Sequence, residues 1–413
     1  MSLTFLDLQN EVKERATRNQ GGTTFDTATK NAINTSLFRL SRECPWKQLR
    51  RKTHFLTDAP YTTGSGSVSV TEDNGTVTVT GATFITNNIK VGRRVDLGGS
   101  SSKYSIGSIT GETTFTLADS KTYDGTTSTT QTYKIYGTEE YNLPIQAGRI
   151  ALVWHEDYGY PYPLSYVTDT DFIEAGIDID TDGTPTHYRQ WGEDCVIEQP
   201  YAASVLRVTS SSASDTSKSI TVFGTVSGYP DYETITTNAS DGTTAVSGTK
   251  SFTSIERVVK DSSTVGRITV DSNSANVTVA VLPVGDATGS IMYKKIQLHP
   301  LPDSSFPIYV QYYKDPWRLV NDGEIHELGP DFDEALILLA TSKIKYQQSQ
   351  KEGDRFFTMY KDELASLRRV NMDRILHFKP RLRKPHEARG RKVSINRNLT
   401  YGQIGGWFGP SSR

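Results

Sequence analysis

The sequence predicts an α+β protein. A small helical bundle formed by N- and C-terminal helices, with a β-sheet, carries two inserted all-β modules and an extended C-terminal arm. Three observations predict this. Helix-like periodicity is confined to the two ends of the chain. Two Thr/Ser/Val-rich stretches, 65–137 and 204–291, alternate strand patterns with turn signals. The last forty residues are strongly basic, although the whole chain carries a net charge of only −2.

The elements follow in order. Leu3, Leu6, Val12 and Ala16 recur at helical spacing, and Thr4 is placed to cap that helix. Gly21 and Gly22 break it. A second helix begins near Phe25 with Asp26 as N-cap, buries Ala28, Ala32, Ile33, Phe38 and Leu40, and stops before Pro45. Residues 46–64 read as extended. Strands are expected at 67–71 and 76–80 around an Asn74-Gly75 turn, then at 94–97, 104–109, 114–117 and 132–136, giving a small barrel or sandwich. Further strands near 219–222, 234–236, 267–270 and 277–281 fit one immunoglobulin-like sandwich without a cysteine pair. With 204–291 removed, the segments 185–198 and 296–313 would form a hairpin-rich sheet, so that module reads as inserted. Asp331 is placed to cap a helix carrying Phe332, Leu336, Leu339 and Ala340. Gly353 is expected to break the chain before a last amphipathic helix with Phe356, Tyr360, Leu364 and Leu367. The expected divisions are 1–64, 65–137, 138–203, 204–291, 292–373 and 374–413.

The 413 residues leave room for several domains. No run approaches the ~18 apolar residues of a membrane helix, so no membrane insertion is expected. Met1–Thr4 shows no basic segment ahead of an apolar one, so no secretory leader is expected. Two cysteines, Cys44 and Cys195, exclude a disulfide scaffold and a Cys-rich metal site, which fits synthesis in a reducing cytoplasm.

No catalytic motif is present: no GxxxxGK[ST], HExxH or GxSxG, and no histidine pair at zinc-site spacing. The chain therefore reads as a non-enzyme with no cofactor and no metal. His155-Glu156-Asp157 reads as an ordinary polar loop. Asp178, Asp180, Asp182 and Gly183 imitate the start of a calcium loop, but Tyr188 and Arg189 stand where its closing Glu belongs. Trp154, Tyr158, Tyr160, Tyr162, Tyr166, Tyr188 and Trp191 form an aromatic-rich stretch that reads as interface side chains before a glycan platform.

The charge is divided. Residues 374–413 hold ten Lys/Arg against Glu387 alone, a charge of +9, which leaves −11 for residues 1–373. Such an Arg/Gly/Pro-rich arm buries too little apolar surface to order itself, so it is either a solvated tail or held by a partner or neighbouring subunit, and the second is the expectation here. Arg381, Arg383, Lys384, Arg389, Arg391, Lys392 and Arg397 suit an acidic protein surface, with Phe378, Tyr401, Trp407 and Phe408 as apolar anchors; nucleic-acid phosphates are the second choice.

The arrangement resembles the head-to-tail connector (adaptor) proteins of tailed bacteriophages. The resemblance rests on the helix pair at 3–16 and 25–43, the run Pro185 to Trp191 with Gly192, and the strand Val310 to Tyr313. It continues through Asp315-Pro316-Trp317-Arg318-Leu319 and through Ala335-Leu336-Ile337-Leu338-Leu339-Ala340, followed by Phe356, Tyr360 and Leu364. It covers about half the chain and is a pattern without a fingerprint; the two β modules depart from the smaller adaptors. The resemblance implies a virion neck protein assembled in the host cytoplasm. It implies a homo-oligomeric ring, of twelve copies, that binds the portal protein through the C-terminal arm and offers tail or nozzle proteins a platform. Phe332, Leu336, Leu339, Phe356, Tyr360, Leu364 and Leu367 would build the ring's helical core. Genome DNA would pass through the channel, and tail fibres could meet the β modules. Two other classes compete: a trimeric tail or fibre-like protein binding host-surface glycans, and a peptidoglycan-degrading tail enzyme, which lacks an acid/base pair.

Overall fold

The computed structural model describes residues 2–16, 23–62, 68–157, 159–174, 181–273, 277–284 and 292–372. The fold is mixed α+β. The described helices are α1 (Phe5–Ala16), α2 (Thr23–Glu43), the short α3 (Asp169–Glu174), α4 (Asp333–Tyr346) and α5 (Gln350–Asn371). None is long and apolar enough to cross a membrane.

Helix α1 starts where Thr4 caps it. The Asp7 amide donates to Thr4 Oγ1 (3.2 Å), and Asp7 Oδ2 accepts from the Thr4 amide (3.0 Å). Asp26 does not cap α2, which begins at Thr23. Asp26 lies in its first turn, where a carboxylate favours the helix dipole, and pairs with Lys13 Nζ at 2.6 Å. Asp331 does not cap α4 either: it sits in a 3-10 turn, Pro330–Phe332, and accepts from Asn371 Nδ2. Nor does Gly353 separate the last two helices. The break falls at 347–349, and Gly353 lies in the first turns of α5, where an added Cβ would stand 2.6 Å from the Tyr346 ring. The residue is small because two helices meet there.

Phe5, Leu8 and Val12 of α1, Ile33, Leu37 and Leu40 of α2, Ala335 to Ala340 of α4, and Tyr360, Leu364 and Leu367 of α5 share one hydrophobic cluster with Trp46 and Phe332. Helix α4 lies at its centre and is apolar on nearly every side, as burial between other helices requires. The Trp46 ring meets Phe332 edge-on at 4.9 Å, and its Nε1 donates to the Leu40 carbonyl (2.6 Å).

Two four-stranded sheets pack over a second cluster that includes Tyr141, Val153, Tyr188, Ile296, Ile308 and Val310. One has the order Arg50–Leu56, Pro307–Lys314, Ala147–Asp157, Tyr160–Pro163; the other, Ser165–Tyr166, His187–Asp194, Tyr293–His299, Glu140–Asn142. The strands Tyr293–His299 and Pro307–Lys314, read from sequence as parts of one sheet, therefore belong to different ones. His187 pairs with His299 and Asp194 with Tyr293, so the chain leaves and rejoins this sheet at neighbouring points.

Seven strands between Val68 and Ile135 form a barrel-like sheet around Val77, Phe84, Phe115 and Tyr123. Tyr61 and Ile135 exchange backbone hydrogen bonds (2.8 and 3.0 Å), which brings its two chain ends together. The buried Arg93 guanidinium fastens that junction by donating to the carbonyls of Tyr136 and Ala59, both at 2.7 Å. A six-stranded sheet spans Ser204 to Leu282 around Val208, Val222, Phe252 and Val270. Its fifteen-residue strand Val246–Lys260 pairs with Ser204–Ser210 through its first half and with Ser219–Val226 through its second. The ladder is thus continuous where an immunoglobulin-like sandwich has two separate sheets. In the segment between these two sheets, Tyr201 packs into the core of the seven-stranded one and Cys195 and Val196 into that of the six-stranded one.

Candidate interaction surfaces

The helix residues singled out from sequence are gathered in one place. Phe332, Leu336, Leu339, Tyr360, Leu364 and Leu367 are all at most 6% exposed, and Phe356 is half-buried beside them. They face one another inside the fold. A contact with another molecule must use what stands outside them. On that outside, Arg39 Nε lies 3.5 Å from Glu43, Glu43 lies 3.4 Å from Arg368 Nη2, and Arg368 Nε donates to Cys44 Sγ. The Arg39 guanidinium also stands 5.3 Å from the centre of the Phe357 ring, and Lys361 Nζ 4.7 Å from it. Met359 and Val370 are exposed along the same helix. The Tyr360 hydroxyl is buried without a hydrogen-bond partner, and burial pushes its pKa up to about 12, so it stays neutral.

A second surface is the outer face of the sheet that contains Arg50–Leu56. Strand alternation places His54, Tyr309 and Trp154 in one cross-strand row, and Lys52 and Leu152 in the next. Trp154 stacks on Tyr309 (centroids 5.4 Å, planes 15° apart), and Lys52 Nζ sits 4.2 Å from the Tyr309 centroid and 4.8 Å from that of Trp154. Leu56 and Leu152 are exposed at its margins. The aromatic-rich stretch is thereby split by role. Trp154 belongs to this face, Tyr188 to the core, Tyr160, Tyr162 and Tyr166 are exposed, and Tyr158 lies outside the described residues. Trp191, half-exposed, stacks against Arg189, whose guanidinium lies between it (4.4 Å) and Phe172 (4.2 Å) while Nε donates to Gln297.

His155 is buried, stacked on Tyr162 at 5.1 Å, and its pKa is lowered by burial; its ring serves packing. Asp182 pairs with Lys134, while Asp178 and Asp180 lie outside the described residues. Among the described residues no group of three or more His, Cys, Asp or Glu is arranged to hold a metal. The basic arm, with Phe378, Arg381, Arg383, Lys384, Arg389, Arg391, Lys392, Arg397, Tyr401, Trp407 and Phe408, also lies outside them.

Sequence reasoning passed over Lys52, Tyr309, Arg39 and Arg368. The i,i+4 spacing of Arg39 and Glu43 and the alternation Lys52, His54, Leu56 were available signals. Arg368 and Tyr309 meet their partners only through tertiary structure. No family model matches the chain, and no curated protein is significantly similar to it in sequence.

Proposed function

We propose that the chain is a structural virion protein: the head-to-tail adaptor ring of a tailed phage, which joins the portal to the tail and continues the DNA exit channel. The observation that carries this reading is the shared cluster of α1 and α2 with α4 and α5, two helix pairs separated by residues 44–332 of the chain. In this reading they form the bundle of a compact adaptor core, and residues 65–137 and 204–291 are insertions. The adjacent chain ends at Tyr61/Ile135 and Asp194/Tyr293 support that, because an insertion that leaves and returns at one point need not disturb its host.

A ring of identical subunits needs two different complementary surfaces per copy, so that each contact is heterologous and the rotation closes. The α2/α5 surface with Arg39, Phe357 and Arg368 supplies mixed charge and an aromatic ring for one of them. The basic arm engages the portal protein, the far side offers the docking platform for tail or nozzle proteins, and DNA passes through the centre. The work is mechanical: completing the head after packaging, and holding a passage open.

A fibre-like glycan-binding role is the second reading. On the outer face of the six-stranded sheet, Tyr232, Phe223 and Arg257 stand in one row, with Phe223 5.8 Å from Tyr232 and 4.3 Å from the Arg257 guanidinium. Exposed aromatic faces of this kind stack on sugar rings. The mass of the purified particle decides: about twelve subunits supports the adaptor, three supports the fibre, and a monomer at all concentrations overturns both.

A further inference from the structure

We infer that a groove between α2 and α4 receives an acidic side chain of a second copy of this chain, with Lys343 as its counter-ion. The groove has a volume of about 380 Å³. Ala28, Asn31, Ala32 and Thr35 of α2 form one wall, and Lys343 and Ile344 of α4, with Gln347 just past its end, the other. It runs on past Thr24 and Thr27 into a second hollow of about 460 Å³.

Lys343 gives the groove its chemistry. Its Nζ is buried and no acceptor among the described residues meets it, although Lys345, two residues on, is paired with Glu352 at 2.7 Å. The charged group found to act on it is another cation, Arg39. Burial and that repulsion lower the amine's pKa to about 8, so it remains largely protonated near neutrality without a partner. A buried, unpaired ammonium is costly, and among the described residues no carboxylate stands within hydrogen-bond reach to offset it. Swung outward on its flexible stem, the ammonium meets a carboxylate from outside, which removes that cost and is sealed from water by the chain that carries it.

A second copy can supply that group. Residues 1–373 carry −11, so each copy presents an excess of carboxylates. In a heterologous ring the groove of one copy faces a different surface of the next. The inference rests on the ring reading to that extent, and it adds the residue that holds the contact.

Two measurements on the full chain test it. In a mixture of unlabelled and ¹⁵N-labelled protein, a carbodiimide couples amines to carboxylates already in contact. Mass spectrometry is expected to find Lys343 joined to an Asp or Glu of the other isotope. Cross-links between copies that involve other lysines but never Lys343 would overturn the inference. The variant Lys343→Met keeps the bulk and removes the charge. It is expected to weaken self-association by about thirtyfold or more, since its partner carboxylate would be left unpaired, while the melting temperature of the dilute protein stays level or rises. Rings that form with unchanged affinity in Lys343→Met would reject the role of Lys343 and leave the adaptor reading intact. A wild-type chain that never self-associates would reject both.

Discussion

Asp333 is the residue on which the two ends of the chain are fastened. Its Oδ2 accepts from the Leu3 amide (3.0 Å), and its Oδ1 from the Ser2 hydroxyl (3.3 Å) and from His326 Nε2 (2.6 Å). The His326 side chain is fully buried and its Nδ1 has no partner, so the neutral ring with its proton on Nε2 fits the site. Burial lowers its pKa from 6.5, and Asp333 opposes that only in part. With the folded value depressed, the unfolded chain takes up the proton first as pH falls through about 6.5, and stability is lost below that point. The melting temperature should therefore drop between about pH 7 and about pH 5. His326→Gln, which keeps a donor toward Asp333 but cannot titrate, should flatten that slope. An unchanged slope would place the titration elsewhere, with His155, also buried and shifted down, the next suspect.

Among the elements, α4 and α5 show what period and packing each contribute. The amphipathic pattern of α5 is legible because one side faces water. Helix α4 is surrounded, so its near-continuous apolar run announces burial but not orientation. Gly353 was misread for a physical reason: glycine is both a helix breaker and the residue that lets two helices touch, and only the position of Tyr346 distinguishes the two. Gly353→Val should cost about 1–3 kcal/mol by urea unfolding, because its side chain must displace the Tyr346 ring at the α4–α5 corner. A neutral substitution would mean that the corner is slack. The strands at Arg94–Leu97 and Thr114–Leu117 fall where the alternation puts them, since one face of each is buried and the other is not.

At the scale of the molecule, the four cores of the described residues are built from side chains no later than Leu367. Truncation after residue 373 should therefore leave the melting temperature unchanged. In the adaptor reading it should abolish binding to the portal protein, because it removes a charge of +9 and the terminal aromatics. Retained binding, measured by co-sedimentation with purified portal, would remove the arm from the proposed interface.

The sequence alone determined the mixed α+β class, most helices and strands, the separation of charge between body and arm, and the lack of familiar catalytic motifs. These are local properties: periodicity, turn chemistry and composition act over a few residues and leave their mark there. Tertiary structure alone decided which strands share a sheet, that Tyr309 stacks on Trp154, that Asp333 holds both Leu3 and His326, and that Lys343 Nζ finds no hydrogen-bond partner among the described residues. Each of these joins, or fails to join, residues far apart in the chain. Their meeting depends on how whole elements exclude water together, and no window of neighbouring residues encodes that.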